Sequence, residues 1–200
     1  MQNYEVTHIS GKPDWKNIPT INLTHHLWSN VPTIIPSAQA AWDEDALYIR
    51  MQAMEPHIRR EYTGDLDPVC QDSCLEFFFC PTADNSRYFN FEVNPNGSMY
   101  VGYGKAGNDR CRLHRPNFKE LFQVSPFEFS GGWGIELRIP VSFLQILVPD
   151  FKLYSGLTFR ANFYKCGDLT QQEHYIAWNP IDWPHPCYHL PQFFGEITLI

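Results

Sequence analysis

Sixteen prolines and twelve glycines are spread along all 200 residues, and what lies between them is a series of short runs in which apolar and polar residues alternate. Proline lacks the backbone N–H that helix interiors and central strands need, and alternation with period 2 places successive side chains on opposite faces of an extended strand. Leu47, Ile49, Met51 and Ala53 share one face of the first clear run, against Tyr48, Arg50 and Gln52. Leu75, Phe77 and Phe79 then oppose Cys74, Glu76, Phe78 and Cys80, and Phe89, Phe91 and Val93 oppose Tyr88, Asn90, Glu92 and Asn94 before the turn sequence Asn94-Pro-Asn-Gly. Met99, Val101 and Tyr103 continue the pattern, as do Trp133, Ile135, Leu137 and Ile139 up to Pro140, and Leu157, Phe159, Ala161 and Phe163 against Thr158, Arg160, Asn162 and Tyr164. The last strands are expected over 174–177 and 195–199, with a helical turn or two within 141–147. Strands this short and numerous predict an all-β chain, a β-sandwich of two antiparallel sheets, forming one domain over residues 1–200.

Charge and composition remove several classes of function. With 15 basic and 22 acidic residues the net charge is -7, which repels a phosphate backbone and argues against nucleic acid or an anionic membrane as partner. No run approaches the roughly 18 apolar residues of a membrane helix, and Met1-Gln-Asn-Tyr-Glu-Val-Thr-His lacks the basic and apolar regions of an export signal. As given, the chain reads as soluble and cytoplasmic, with an extracellular role left open. The six cysteines are too few for a disulfide scaffold at this length; Cys70 and Cys74 have C-x3-C spacing, unlike a zinc knuckle, and most of the six read as buried thiols. His185 and His189 are separated by prolines that prevent the helix a zinc pair at that spacing would use.

The polar faces are the informative part. Glu76, Phe78, Tyr88, Asn90, Glu92, Asn94, Arg138, Arg160, Asn162 and Tyr164 fall on the face opposite the core, mixing carboxylates, amides, guanidinium groups and flat rings. Pyranose C–H faces stack on rings, and vicinal hydroxyls bridge to such polar groups, so this inventory suits a saccharide; an ordinary solvated sheet face is the alternative reading. An even register of the hairpin 74–94 sets Glu76 opposite Glu92. Opposed carboxylates repel, so Arg138, Arg160, a cation or ligand hydroxyls should compensate. A close carboxylate pair also resembles the acid and nucleophile of a retaining glycosidase, which makes a glycoside-active enzyme the runner-up. The proline-rich tail from Tyr175 to Pro191 is a long loop carrying Trp178 and Trp183, each a candidate stacking platform or a plug for the end of the core. No serine-hydrolase elbow and no nucleotide-binding glycine loop is present.

Four stretches, Ala41-Trp-Asp-Glu-Asp-Ala-Leu-Tyr-Ile, Asp72-Ser-Cys-Leu-Glu-Phe-Phe-Phe, Tyr88-Phe-Asn-Phe-Glu-Val-Asn and Trp178-Asn-Pro through Phe194-Gly-Glu-Ile-Thr-Leu, together resemble carbohydrate-binding module family 9, from about residue 15 to the end. The resemblance implies a jelly-roll-like sandwich that binds sugars without catalysis, holds chain ends between two tryptophans, carries structural calcium, and works beside glycoside hydrolases, here encoded separately. Glu76 matches the acidic position that holds sugar hydroxyls, and Trp178 or Trp183 the second ring; the first ring should fall near Cys70, where Tyr62 is the substitute. Calcium is expected by analogy near Asp43, Asp45 or Asp72. Similar sandwiches also bind haem between methionine and histidine or lysine, but Met51 and Met99 lie on predicted core faces, where methionine fills gaps. The reading is therefore non-covalent recognition of a mono- or oligosaccharide by Tyr62, Glu76, Asn90, Glu92, Arg160, Trp178 and Trp183, with no catalytic residue and no organic cofactor expected and with structural calcium implied by the resemblance.

Overall fold

Strand β1 (Asn3–His8) holds the architecture together, because it pairs in parallel with two different neighbours: Asn3 to Val6 with the last strand, and Thr7 and His8 with Ala41 and Trp42. The computed structural model describes residues 1–64, 66–106 and 109–200. Along the chain β1 is followed by two short strands, β2 (Ile21–Asn22) and β3 (His25–His26), and by the hairpin of β4 (Ile35–Asp43) and β5 (Ala46–Met54). Then come β6 (Cys74–Phe79), β7 (Tyr88–Val93), β8 (Met99–Gly104) and β9 (Arg110–Leu113), an antiparallel meander. The helical turn α1 (Phe118–Leu121), β10 (Ser125–Phe129), β11 (Gly132–Pro140) and a second turn, α2 (Val141–Leu144), lead to β12 (Thr158–Gly167), β13 (His174–Ala177) and β14 (Gly195–Leu199).

The hydrogen-bonded order is β10-β11-β5-β4-β1-β14-β12-β6-β7-β8-β9, with β2 on β4 and β13 between β12 and β3. This corrects the expectation of two separate antiparallel sheets: among the described residues β1 joins both halves, so the strands form one continuous path that curls over its own core. Phe77, Phe79, Phe89, Phe91 and Phe163 from one half and Ile49, Met51, Trp133, Ile135 and Leu137 from the other belong to a single buried cluster. These are the apolar positions of the alternating runs.

The other face of β6, β7 and β12 is not a solvated surface. Residues 178–194 fold back across it, and Phe78, Tyr88, Tyr164, Ile181, Tyr188 and Phe194 form a second buried cluster with Cys74, Cys80 and Cys166. Two asparagines clasp this strap: Asn162 Nδ2 donates to Asn179 O (3.0 Å), and Asn179 N donates to Asn162 Oδ1 (2.9 Å). Arg160 Nε donates to Phe194 O (3.0 Å).

One polar network ties the halves together through the core. Lys165, on the apolar face of β12, is fully buried, and its Nζ lies 2.8 Å from Cys166 O, 2.6 Å from His174 Nε2 and 3.2 Å from Glu55 Oε2. Glu55 also accepts from Ser73 Oγ (2.7 Å) and Trp133 Nε1 (2.6 Å). Burial opposes ionisation of Glu55, but Lys165 and these two donors outweigh it and hold the carboxyl below its usual range. With Nε2 accepting from Lys165 and Nδ1 donating to Gln172 O (2.7 Å), His174 is neutral; burial and the lysine charge push it down to about 4.

Candidate functional site

The site is the part of the covered face that the strap leaves open. Antiparallel pairing aligns side chains in rows, because directly opposed residues share a face. One row runs Tyr164, Glu76, Glu92, Tyr100 across β12, β6, β7 and β8. On one side of it lie Tyr175, Cys166 and Cys74; on the other lie Asn162, Phe78, Asn90, Gly102 and Arg112. Over these rows opens a pocket of about 430 Å³, with Glu76, Glu92 and Cys166 in its lining, Tyr100, Arg112 and Tyr175 around it, Asp168 beside Cys70, and Pro186 to His189 of the strap as a wall. A hollow of about 500 Å³ elsewhere, lined by Glu44, Asp45, Arg138 and Lys152 among others, offers no aromatic ring.

The two carboxylates are oriented from below and left free above. Cys166 Sγ donates to Glu76 Oε1 (2.9 Å) and Asn90 Nδ2 donates to Glu92 Oε1 (2.9 Å). Asn90 Oδ1 in turn accepts from Arg110, whose guanidinium lies 4.0 Å over the Tyr88 ring. Gly102 makes room for this chain, since a Cβ there would stand 2.5 Å from Asn90 Oδ1. Burial, then the nearby Glu92 charge, raise Glu76 well above the usual carboxylate range; burial raises Glu92 to about 7, with Asn90 and Arg110 pulling the other way. Burial and the closeness of the two carboxyls therefore both oppose ionising the pair together. Asp168 is also raised by burial, and His189, hydrogen-bonded through Nδ1 to Tyr88 Oη (2.8 Å), is lowered to about 4 by burial and Arg110.

Of the residues singled out in the sequence, Glu76 and Glu92 line this pocket, and the others are placed elsewhere. Asn90 is fully buried, with its amide spent on Glu92 and Arg110. Arg160 is tied to the strap, and Arg138 lies in the other half, its Nε 3.4 Å from Tyr48 Oη; neither compensates the acid pair. Tyr62 Oη donates to Gln71 Oε1 (2.6 Å). Trp178 as a stacking platform is corrected: it is 4% exposed and packs edge-on against Tyr4 and Phe163 in the core. Trp183 is 47% exposed and outside the pocket, its carbonyl accepting from Trp28 Nε1 (2.6 Å). Tyr100, Arg112, Asp168 and Tyr188 go unmarked in the sequence, and His189 enters it only as half of a zinc pair that its prolines exclude; Tyr100 is accessible to the same alternation, as the outward neighbour of Met99 and Val101.

Calcium takes six to eight oxygens, and of the three aspartates named by analogy two, Asp72 and Asp43, already have protein donors on their carboxylates. Asp72 is fully buried, accepts from Glu61 N (3.0 Å), Tyr62 N (2.9 Å) and Asn94 Nδ2 (2.9 Å), and lies 3.4 Å from Arg59 Nε. Asp43 caps the β4–β5 turn, accepting from Asp45 N (2.9 Å), Ala46 N (2.8 Å) and Tyr48 Oη (2.7 Å). Met51 and Met99 are core residues.

A sequence profile described as carbohydrate-binding family 9 matches residues 12–199. The crystal structure of a candidate carbohydrate-binding protein from Bacteroides uniformis ATCC 8492 is similar with a TM-score of 0.86 and 26% identity, over 100% of this chain and 99% of that one. A carbohydrate-binding module family 9 from Caldicellulosiruptor kristjanssonii, solved with cellotriose, gives a TM-score of 0.68 at 16% identity, over 99% of this chain and 93% of that one. A structure of such a module from the same organism with glucose gives 0.64 at 15% identity, over 100% and 96%. A curated relative from Arthroderma benhamiae, named an extracellular protein, is 25% identical over 134 residues, which are 59% of this chain and 56% of the relative; the match spans about half of that protein. Among the described residues no helix is long and apolar enough to cross a membrane, and a cytoplasmic location gains no support from these likenesses.

Proposed function

The chain belongs to carbohydrate-binding family 9, and from that premise we propose that it binds a saccharide, without catalysis, in the pocket above Glu76 and Glu92. The observation that carries this reading is a pair of nearly buried carboxyl groups, each with one oxygen engaged by a protein donor and the other accepting from no protein donor among the described residues, at the lining of a pocket with rings at its margin. The carboxyls of Glu76 and Glu92 and that of Asp168 take up sugar hydroxyls, and Arg112 donates. Tyr100 and Tyr175 supply flat faces for the C–H side of a pyranose, in place of the tryptophan pair implied by the family resemblance. The relatives solved with cellotriose and glucose support a glucose-configured sugar as the first probe. Few contacts and one or two rings set the affinity in the micromolar to millimolar range. A glycoside hydrolase is the partner we propose for such a module.

The carboxylate pair favours binding over hydrolysis. A retaining glycosidase sets its acid and nucleophile on either side of the scissile bond. Glu76 and Glu92 instead rise side by side from adjacent strands of one surface, so a sugar rests on both.

Calorimetric titration with glucose, cellobiose and cellotriose, with the sugars recovered and analysed for cleavage, tests the reading. Saturable binding without cleavage is expected, weakened at least tenfold in Glu92→Gln and in Tyr175→Ala. Cleavage would replace the reading with an enzymatic one. Silence across the saccharides would overturn it, and a loss confined to Trp183→Ala would move the site to the strap.

A further inference from the structure

The pocket lining holds a second chemistry, which shares Glu76 with the saccharide site and adds two thiols that saccharide recognition does not use. Cys74 and Glu76 are two residues apart on β6 and share a face, and Cys166 stands directly opposite Cys74 on β12. All three side chains are buried, and their ligand atoms lie within 4.8 Å of one another. We infer that Cys74, Glu76 and Cys166 form a binding site for a thiophilic divalent cation of the zinc or cadmium kind.

The geometry fits the ion with small side-chain rotations. A tetrahedral zinc site has Zn–S of about 2.3 Å and Zn–O of about 2.0–2.2 Å, which separates its ligand atoms by roughly 3.5–3.8 Å. Cys166 Sγ and Glu76 Oε1, now 2.9 Å apart in a hydrogen bond, would open by well under 1 Å as the metal takes the place of the Cys74 and Cys166 thiol protons, which are released to solvent together with any proton on Glu76. Thiolate donors select soft and borderline ions over calcium or magnesium, so this is a different site from the calcium implied by family resemblance. Three protein ligands leave one tetrahedral position vacant. Glu76 and Cys166 both border the pocket, which supplies an entry path and room for a water or hydroxyl as the fourth ligand. The strands that carry the three residues are fixed by continuous pairing, so the site is preformed. The same opposed thiols could close a disulfide instead; all six cysteines are free in this structure. The inference rests on the donor geometry alone and stands whether or not a saccharide binds.

The full chain, reduced and stripped of metal by a chelator, is titrated with cobalt(II) and cadmium(II) while absorption is followed. One ion per chain is expected, with the visible bands of a tetrahedral thiolate cobalt site and ultraviolet thiolate-to-cadmium charge transfer. Cys74→Ala and Cys166→Ala each weaken binding at least tenfold, and Cys111→Ser, at an exposed thiol, leaves it unchanged. Near-ultraviolet circular dichroism checks the fold; should an alanine variant fail to fold, Glu76→Gln keeps both thiols and is expected to bind at least tenfold more weakly. Charge transfer at full strength in Cys74→Ala, an unchanged affinity in Glu76→Gln, the absence of charge transfer from protein whose thiols all titrate as free, or a Cys74–Cys166 disulfide in protein isolated with alkylated thiols would each overturn the assignment.

Discussion

Replacing Lys165 by methionine removes the only cation in contact with Glu55 at neutral pH among the described residues, and the structure sets both the size and the pH dependence of the loss. Glu55 is 2% exposed and would keep its hydrogen bonds from Ser73 and Trp133 but lose its countercharge. Breaking a buried ion pair by removing one partner costs about 3–5 kcal/mol, a large share of the roughly 5–15 kcal/mol that holds a domain folded. His174 fixes the pH dependence. In the native protein its folded pKa of about 4 lies below the ordinary histidine value of 6.5, so acid favours the unfolded state, and the stability this group contributes is lost as pH falls from 6.5 toward 4. Without the lysine charge, the nearby Glu55 carboxylate, 3.8 Å away, raises the folded pKa of His174, and the imidazolium becomes the replacement cation below that value. The Lys165→Met penalty is therefore expected to be largest near pH 8 and to shrink by about 1–2 kcal/mol near pH 5, the equivalent of roughly one pKa unit. Urea unfolding of the native protein, Lys165→Met, Glu55→Gln and the double variant at both pH values measures it. In the double variant the charges leave together, so its loss is expected to fall short of the sum of the single losses by about 1–3 kcal/mol. A Lys165→Met penalty below about 1 kcal/mol, flat with pH and additive with Glu55→Gln, would refute the claim that this network clamps the two halves of the sheet.

Two further substitutions separate structural from binding roles. Trp178→Phe leaves a void beside Tyr4 and Phe163 and is expected to cost about 1–3 kcal/mol in denaturant unfolding, while the folded protein keeps its saccharide affinity within about twofold by calorimetry. Gly102→Ala places a Cβ against Asn90 Oδ1 and, at 3.1 Å, against Tyr100; the displaced asparagine no longer orients Glu92, so affinity is expected to fall about tenfold together with a lower melting temperature. An alanine at 102 that lowers stability alone would assign Asn90 a purely structural part.

The strands most easily read from the sequence are those whose alternation is strong on both faces. The runs around Leu47, Phe77, Phe91 and Ile135 all became strands, and the even register of the 74–94 hairpin sets Glu76 opposite Glu92. Strand β4 is harder to see because Ile35-Pro-Ser-Ala-Gln-Ala-Ala-Trp-Asp is poor in β-branched residues; its pairing with β5, not its local propensity, makes it a strand. Strand β10 carries Pro126, tolerated because β10 ends the hydrogen-bonded path. The parallel role of β1 is a long-range pairing that no local pattern announces. The same distinction governs the site. Glu76 and Glu92 are legible because period 2 and one hairpin suffice to oppose them. Tyr188 and His189 become pocket residues only when the strap folds over the sheet, and Asp168 only when the turn after β12 bonds back to Cys70. Trp178 misleads for the same reason, since an aromatic in a proline-rich loop looks free until the loop docks and turns it into the core.

The polar residues on the covered face separate by how fully the protein satisfies them. Asn162 and Asn179 exhaust their hydrogen bonds on each other and on the backbone, and this holds the strap to the sheet. Asn90 spends its amide between Arg110 and Glu92, and Glu55 is surrounded by Lys165, Ser73 and Trp133. A buried polar group is tolerated when it is paired, and these are. Glu76 and Glu92 break the rule twice, by standing carboxyl against carboxyl and by leaving an oxygen without a protein donor among the described residues. Replacing both with apolar residues would extend the cluster of Phe78, Tyr88 and Tyr164 and remove the repulsion, so stability alone does not account for them. A sequence that violates local rules where a pocket opens is retaining those groups for what enters it. The strap is what makes the arrangement effective: it excludes water from the acid pair on one side, which raises both pKa values and strengthens every hydrogen bond they offer, and it stops short of covering them on the other.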